Sequence, residues 1–246
     1  MKVVAMIPAR YASSRFPGKL LENLCDKPVL LRTYEAINNM KIFDEIHIVT
    51  DSDKIEETLL PYNISILKSK EEHECGSDRL AEVADQIEAD IIINVQGDEP
   101  FTNGEDLSSL IDLFKNDRDK QIDLASLMMP INQSKAIQNP NNVKVIVDRN
   151  DRALYFSRSP IPYLRNTVNQ LQYYKHIGIY AFRKQALIDF YYSPKGILEQ
   201  AEAIECIRHL ENGKTIQMIK TDSPGIGIDT PEDLEEAEKL WQKKGE

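Results

Sequence analysis

The sequence predicts an α/β fold built on a mostly parallel, doubly wound sheet, and two observations carry that prediction. In the first half of the chain, short apolar runs alternate with segments of helical character. The first of these runs, Val3–Ile7, is continuous, which is typical of a strand buried on both faces of a parallel sheet. We therefore expect a Rossmann-like core, with a smaller β-rich excursion at about residues 122–183. The whole chain, residues 1–246, is predicted to be a single domain.

The expected elements follow in chain order. The first strand is expected at Val3–Ile7, and Pro8 should end it because proline has no N–H to donate to the ladder. Further strands are expected at Glu45–Val49, Ile64–Leu67, Ile91–Val95, Val143–Val147, Ala153–Phe156, His176–Phe182 and Thr215–Ile219. Helices are expected at Val29–Asn39, Ser77–Ile87, Glu105–Phe114, Leu198–Leu210 and Thr230–Gln242, the last of them capped by Asp229 or Thr230.

Composition limits the classes of function. A chain of 246 residues with 28% charged and 41% hydrophobic residues is long enough to bury a full core. The net charge of −10, with no basic stripe beyond the opening loop, argues against a nucleic-acid partner. No apolar run approaches the length of about 18–20 residues that a membrane span needs. Three widely spaced cysteines, Cys25, Cys75 and Cys206, indicate a reducing compartment, so we expect a cytoplasmic protein with no membrane partner.

The opening of the chain joins a predicted buried strand to a loop that carries only positive charges. A Pro17-Gly18 turn interrupts this loop, and no acidic residue occurs before Glu22. Its cationic and hydroxyl side chains are Arg10, Ser13, Ser14, Arg15 and Lys19. Ligands bind at the carboxyl ends of strands in α/β sheets, so this loop predicts a site for a phosphate-bearing anion. The alternative, a solvated surface position, fits any one of these cations better than it fits the whole set.

Two aspartates are candidate ligands for a divalent cation. Asp98 follows a predicted strand in NVQGDEP, and Asp229 stands at a helix start in GIDTPEDL. Mg²⁺ takes few carboxylates and completes its shell with phosphate and water, so this pair suits a magnesium-bound triphosphate. Each aspartate also has a structural alternative, because Asp98 suits a turn and Asp229 suits a helix N-cap.

A segment before a predicted helix, HECGSDR at residues 73–79, contains further candidates. Ser77 and Asp78, with the free amides of the first helical turn, could contact a nucleotide. The alternative is an ordinary N-cap followed by Arg79 at the surface.

The second half of the chain offers candidates for a sugar site. Arg165 follows two prolines and could bind a carboxylate through both guanidinium branches, although an exposed arginine after a structural turn is equally compatible with the sequence. His176 and Tyr180 share one face of a predicted strand, where a lone histidine is more often part of the core. Glu205 belongs to a stripe with Glu199 and Glu202, a spacing more typical of a solvated helix face.

These motifs together resemble those of the CMP-KDO synthetases, the cytidylyltransferases that activate 3-deoxy-D-manno-octulosonate (KDO). IPARYASSRFPGK at residues 7–19 is similar to the family's amino-terminal signature, and the likeness continues through HECGSDR, YFSRSPIPYLR, KHIGIY and IECIR. The resemblance implies a nucleotide-diphospho-sugar transferase type of fold. It also implies transfer of CMP from CTP to a 2-keto-3-deoxy sugar acid in lipopolysaccharide biosynthesis, by a homodimer that uses Mg²⁺.

The resemblance also implies roles for particular residues. Those expected to act in catalysis are Arg15, Lys19, Asp98 and Asp229, the two aspartates as metal ligands. Those expected to bind the nucleotide are Arg10, Ser13, Ser14, Arg15, Lys19, Gly76, Ser77 and Gln96. Those expected to bind the sugar are Gln96, Arg165, His176, Tyr180 and Glu205.

Two departures from the family pattern keep other functions open. Cys75 stands where the family has serine, and Cys206 stands where it has glutamine, which removes an amide. A modified or related ulosonic acid is therefore an alternative substrate. Transfer to sialic acid or to a sugar 1-phosphate, and a non-catalytic protein that binds nucleotide sugars, are further alternatives.

Overall fold

The computed structural model describes residues 1–13, 15–71, 73, 75–166 and 171–244. Its strands are β1 Val3–Ala9, β2 Asn23–Leu24, β3 Lys27–Pro28, β4 Glu45–Thr50, β5 Ile66–Lys68, β6 Ile91–Asn94, β7 Leu124–Ile131, β8 Lys144–Val147, β9 Ala153–Ser157, β10 Tyr173–Arg183 and β11 Ile216–Lys220. Its α-helices are α1 Val29–Met40, α2 Asp53–Leu59, α3 Gly76–Ala84, α4 Gly104–Asn116, α5 Ser134–Gln138, α6 Lys184–Tyr192, α7 Ile197–Glu202, α8 Ile207–Glu211 and α9 Pro231–Lys244. Short 3₁₀ helices occupy Lys19–Leu21 and Leu60–Tyr62.

The chain forms two compact units. The first unit comprises Met1–Gly104 and the segment from Gly225 onward, and the second comprises Glu105–Pro224. In the first unit, β6, β1, β4 and β5 lie side by side in that order, and all of these pairs are parallel. The predicted α/β class with a mostly parallel sheet is confirmed.

The strand β1 is buried because its sequence gives it no polar face. Val4 through Ile7 are fully inaccessible, as are Ile91 to Ile93 in the neighbouring strand. The prediction that Pro8 ends this strand is wrong, since β1 continues to Ala9 and Pro8 pairs in register with Val49. The carbonyl oxygen of Met6 accepts a hydrogen bond from the N–H of Val95, so the peptide groups of Met6 face β6. Because peptide groups alternate in direction along a strand, those of Pro8, two residues later, face the same side. The register with β6 stops at Met6, so the missing donor of Pro8 leaves no ladder bond unmade.

Helix α9 returns the chain to the first unit after the second unit is complete. Ile228 and Ala237 are fully buried in a cluster with Leu24 and Val29. Partly buried side chains pack against that cluster from α9 and from the segments after β1 and β6: Phe16, Phe101, Leu234 and Trp241. The rings of Phe101 and Trp241 meet edge to face with centroids 5.7 Å apart. Helix α9 is therefore held by apolar contacts to the segments that follow β1 and β6.

The second unit has a mixed sheet. Strand β11 runs parallel to β7, whereas β10 is antiparallel to both β7 and β8, and β9 is antiparallel to β8. The β-rich character predicted for residues 122–183 is present, although β7 itself was not predicted. A register shift between Ile177 and Tyr180 gives β10 a bulge that contains Gly178.

The single helix predicted over Leu198–Leu210 is wrong. Helix α7 ends at Glu202, and Ala203 adopts a left-handed backbone conformation with φ of 50° before α8 begins. The glutamate stripe therefore does not face solvent as one helix surface. Glu199 is buried and forms two hydrogen bonds of 2.7 Å with the guanidinium of Arg208.

Among the described residues, no helix is both long enough and apolar enough to cross a membrane.

Candidate functional site

The site is built where β1 and β6 end at the same edge of the parallel sheet. Gly97 follows β6, and a side chain there would bring a Cβ to 3.1 Å from both the Pro8 carbonyl oxygen and Leu30 Cδ1. The absence of a side chain at Gly97 therefore lets the two loops approach closely without crowding. The buried hydroxyl of Thr33 donates to the carbonyl of Gly97 at 2.9 Å, which fixes the β6 loop to helix α1.

The loop after β1 folds back on itself. Gly18 has φ of +74°, a left-handed conformation that a side chain would strain, and its N–H donates to the Tyr11 carbonyl at 3.1 Å. The 3₁₀ helix that follows begins with Lys19. This turn directs the Lys19 side chain toward the β6 loop, where its ammonium meets Asp98.

These loops border a cleft of about 220 Å³. It is lined by Pro8, Ala9, Arg10, Ser13, Arg15, Lys19, Leu20, His73, Cys75, Gly76, Arg79, Gln96, Gly97, Asp98 and Asp229. Every one of these residues belongs to the first unit. The lining combines cations, two aspartates and small residues, which is a composition suited to a polyphosphate bound with a cation.

A cluster of four charged side chains lies in the cleft. The Lys19 ammonium contacts Asp98 and lies 2.8 Å from Asp229 Oδ1. The guanidinium of Arg15 lies 3.0 Å from the other oxygen of Asp229. Asp98 and Asp229, far apart in sequence, thus converge on a single positive nitrogen. The Lys19 side chain is 13% exposed and that of Asp229 is 43% exposed, so the cluster opens to solvent on the Asp229 side.

The charges in this cluster shift one another's pKa values. Burial acts to lower the pKa of Lys19, but the charges and hydrogen bonds of Asp98 and Asp229 outweigh it and raise that pKa above its ordinary value. Burial acts to raise the pKa of Asp229, but the hydrogen bonds and charges of Lys19 and Arg15 hold it below the usual range. The lysine is therefore cationic and Asp229 is anionic at neutral pH.

Asp229 is available for this cluster because it does not cap helix α9. Thr230 is the N-cap, since its hydroxyl oxygen accepts the N–H of Asp233 at 3.2 Å. Pro231 occupies the first helical position, which proline favours. Of the two caps that the sequence allowed, the structure has Thr230, and the Asp229 carboxylate points to Lys19 and Arg15 instead.

The HECGSDR segment contributes differently from the prediction. Cys75 is the N-cap of α3, with its sulfur accepting the N–H of Asp78 at 3.4 Å. Gly76 lines the cleft, whereas Ser77 is buried with 1% of its surface exposed. Of the alternative interpretation, the N-cap is present but the surface position of Arg79 is wrong, because this side chain is buried and its guanidinium lies 2.8 Å from Asp51 and from Ser69 Oγ. His73 and Arg79 also line the cleft, and the signal that marks Arg79 is its partner Asp51, a partly exposed aspartate directly after β4.

The candidates for sugar binding lie in the second unit, apart from Gln96. His176 is buried, hydrogen-bonded to Ser126 Oγ at 2.9 Å, and packed between the rings of Phe156 and Tyr180. Burial lowers the pKa of His176 to about 3, so the ring is neutral at physiological pH. These contacts of His176 agree with the alternative that the sequence analysis gave for it, a histidine that is part of the core.

Tyr180, Cys206 and Glu205 form a second group in that unit. Burial raises the pKa of the Cys206 thiol, as does the charge of Glu205, whereas a hydrogen bond with Tyr180 opposes the shift. Glu205 is half-buried, and Arg165 lies in an exposed segment after Tyr163. The arginine that stiffens this region is Arg158, whose guanidinium donates to the carbonyls of Pro140, Glu202 and Ala203.

The structure thus brings one group of predicted residues into a single cleft. These residues are Arg10, Ser13, Arg15, Lys19, Gly76, Gln96, Asp98 and Asp229. Ser14 lies outside the described residues. The roles proposed for these residues in binding and catalysis remain predictions.

Comparison with known proteins gives a consistent result. A family model described as cytidylyltransferase matches residues 4–216. A 3-deoxy-manno-octulosonate cytidylyltransferase from Christiangramia forsetii is 56% identical over 97% of this chain and 96% of its own length. The enzyme of the same name from Flavobacterium johnsoniae is 54% identical over 98% of both chains. A solved structure of CMP:2-keto-3-deoxy-manno-octonic acid synthetase complexed with CTP has a TM-score of 0.93 and 38% identity, covering 99% of this chain and 100% of its own.

Proposed function

This chain belongs to the cytidylyltransferase family, and on that premise we propose that it transfers CMP from CTP to the C2 hydroxyl of KDO, giving CMP-KDO and pyrophosphate. The observation that carries the proposal is the convergence of Asp98 and Asp229 on one positive charge in a cation-lined cleft. The names of the relatives support the choice of CTP and KDO.

Magnesium is the cofactor that these residues fit best. Asp98 and Asp229 would hold it, because their oxygens already meet at one cation, the Lys19 ammonium. Among the described residues no group of three or more His, Cys, Asp or Glu side chains could hold a metal. Two carboxylates suit Mg²⁺, which usually takes its remaining ligands from substrate phosphates and water. When bound, the ion would neutralise charge on the triphosphate and lower the pKa of the attacking hydroxyl.

The cationic side chains of the cleft have a separate task. As the C2 hydroxyl oxygen attacks the α-phosphorus, the bond to the departing pyrophosphate breaks and negative charge builds on it. Arg10, Arg15 and Lys19 would stabilise that charge, since each is a fixed or strongly held cation beside the path of the phosphates.

The sugar is proposed to contact Gln96, Arg165, His176, Tyr180 and Glu205. A guanidinium pairs well with the planar carboxylate of a sugar acid, which supports Arg165. We also propose a homodimer that works in the cytoplasm, in lipopolysaccharide biosynthesis. Large apolar side chains of the second unit that are exposed support a dimer contact there: Leu154, Tyr163, Leu164, Tyr192 and Ile197. Light scattering coupled to size exclusion tests the dimer, and a monomer at micromolar concentration would contradict it.

A related ulosonic acid is the second candidate substrate, because the buried Cys206 stands beside Tyr180 where an amide was expected. Pyrophosphate release with CTP, Mg²⁺ and a panel of sugar acids separates the two. The proposal predicts the highest kcat/KM for KDO. A higher value for another ulosonic acid would change the substrate, and CTP binding without magnesium-dependent turnover would favour the non-catalytic alternative.

A further inference from the structure

The first turn of helix α9 is built around Asp229, and one of its side chains has no role in the mechanism above. We propose that Asp233 is a positioning residue that fixes the direction in which the Asp229 carboxylate leaves the main chain. This inference rests on the proposed function, because it takes Asp229 as a ligand of the divalent ion.

The contacts of Asp233 go beyond those of an ordinary helix cap. In a capping box, the side chain at the third helical position accepts the N–H of the N-cap residue. Asp233 does this for Thr230 at 2.8 Å, but the same oxygen, Oδ2, also accepts the N–H of Asp229 at 3.0 Å. The additional bond goes to the residue that carries the functional carboxylate. Asp233 therefore holds the peptide on the amino side of Asp229 in a fixed orientation.

The residue before Asp229 is held just as firmly. The N–H of Ile228 donates to the main-chain carbonyl of Asp98 at 3.0 Å, and the Ile228 side chain is fully buried. The backbones that carry the two aspartates are thus joined directly. With Ile228 fixed on one side and Thr230 on the other, the Asp229 side chain keeps only its own rotations. That restriction is what keeps its oxygens near those of Asp98.

Helix α9 holds Asp229 in a fixed position because the helix is packed against both neighbouring loops. Phe16 precedes Lys19 in the first loop and Phe101 follows Asp98 in the second, and both pack on the cluster that contains Ile228 and Ala237. A ligand at the start of a packed helix is placed more accurately than one on an isolated loop.

The experiment compares Asp233→Ala with Asp233→Asn and Thr230→Val. Alanine removes the acceptor of both N–H groups, whereas the asparagine oxygen can still accept them. Thr230→Val removes the hydroxyl cap of α9 but leaves Asp233 in place, so it controls for the stability of the helix. Two constants are measured for each protein: the Mg²⁺ concentration that half-activates pyrophosphate release, and the dissociation constant for Mn²⁺, by electron paramagnetic resonance, with α,β-methylene-CTP bound.

We expect Asp233→Ala to raise both metal constants by about tenfold, the lower end of the range for losing a group that orients a ligand. Asp233→Asn should stay within about threefold of wild type, because the acceptor geometry is restored. Thr230→Val should lower the thermal midpoint by about 2–4 °C and leave both metal constants unchanged. Unchanged constants in Asp233→Ala, or an equal rise in Thr230→Val, would overturn the positioning role. If the wild type releases no pyrophosphate, the proposed function fails, and the Mn²⁺ measurements still decide this inference.

Discussion

Replacing Lys19 by methionine tests whether the ammonium and a divalent ion compete for the same two carboxylates. Methionine keeps an unbranched apolar side chain and removes the charge. The Lys19 nitrogen lies 2.8 Å from Asp229 and contacts Asp98. A divalent ion that binds between these carboxylates must first displace the ammonium, so the wild-type affinity includes the cost of breaking those bonds.

The size of that cost follows from the contacts. A hydrogen bond to a charged group contributes about 1.5–3 kcal/mol. Solvent screens the pair at Asp229, whose side chain is 43% exposed, so we take the lower end of that range. Because about 1.4 kcal/mol is a factor of ten in an equilibrium constant, Lys19→Met should bind Mn²⁺ about tenfold more tightly without nucleotide. Its kcat with saturating CTP should fall by about 10²–10³, because a stabilising cation is lost from the leaving group.

Calorimetry with Mn²⁺ and a steady-state assay of pyrophosphate release measure the two effects. Lys27→Met is the matched control, because Lys27 forms a comparable ion pair with Glu35 at 2.6 Å outside the cleft. Equal Mn²⁺ affinity in wild type and Lys19→Met would refute the idea that the ammonium holds the place of the ion. A near-normal kcat would refute its role toward the leaving group.

Three further predictions address stability and selectivity. Glu199→Ala leaves the buried Arg208 guanidinium without its carboxylate, so urea titration should show the free energy of unfolding reduced by about 3–5 kcal/mol; a loss below about 1 kcal/mol would contradict this. Burial holds the pKa values of His176 and His209 at about 3, below 6.5 in the unfolded chain, so the unfolded state binds more protons as the pH falls. The free energy of unfolding should therefore fall by about 1.4 kcal/mol per pH unit for each histidine between pH 6 and 4, and a flat profile in urea titrations would contradict it. Cys206→Gln should raise the ratio of kcat/KM for KDO over sialic acid by about threefold to tenfold, through one added hydrogen bond, and an unchanged ratio would exclude Cys206 from sugar selection.

The central strands of the first unit could be predicted because a strand that is buried on both faces is a run of mainly apolar residues. The run at residues 3–7 has no polar position and the run at residues 91–95 has only Asn94, and each became a strand in the parallel sheet. The two loops that follow them could be predicted as a site for the same reason, since parallel strands end at one edge. The end of β1 was predicted wrongly, because the side to which Pro8 turns its peptide depends on the neighbouring strand.

The failures concern residues whose role is decided by distant partners. The helix predicted over Leu198–Leu210 has good helical residues throughout, and its break at Ala203 coincides with the donation of Arg158 to the carbonyls of Glu202 and Ala203. From the sequence alone Arg79 fits a surface position, and only the ion pair with Asp51 in the folded chain explains its burial. The choice between Asp229 and Thr230 as the helix cap likewise depended on whether Lys19 and Arg15 reach Asp229.

The return of helix α9 to the first unit affects how the chain folds during its synthesis on the ribosome. The pair Lys19 and Asp229 closes a loop of 210 residues, and the second unit is translated between them. A nascent chain that has completed β6 already contains the cations of the first loop, but it lacks Asp229 and the apolar face of helix α9 that covers Leu24 and Val29. Such long-range closure is slow and entropically costly. Activity should therefore appear only after residues 225–244 leave the exit tunnel. Stalled shorter chains should expose the apolar surface around Leu24 and Val29 and should bind chaperones there.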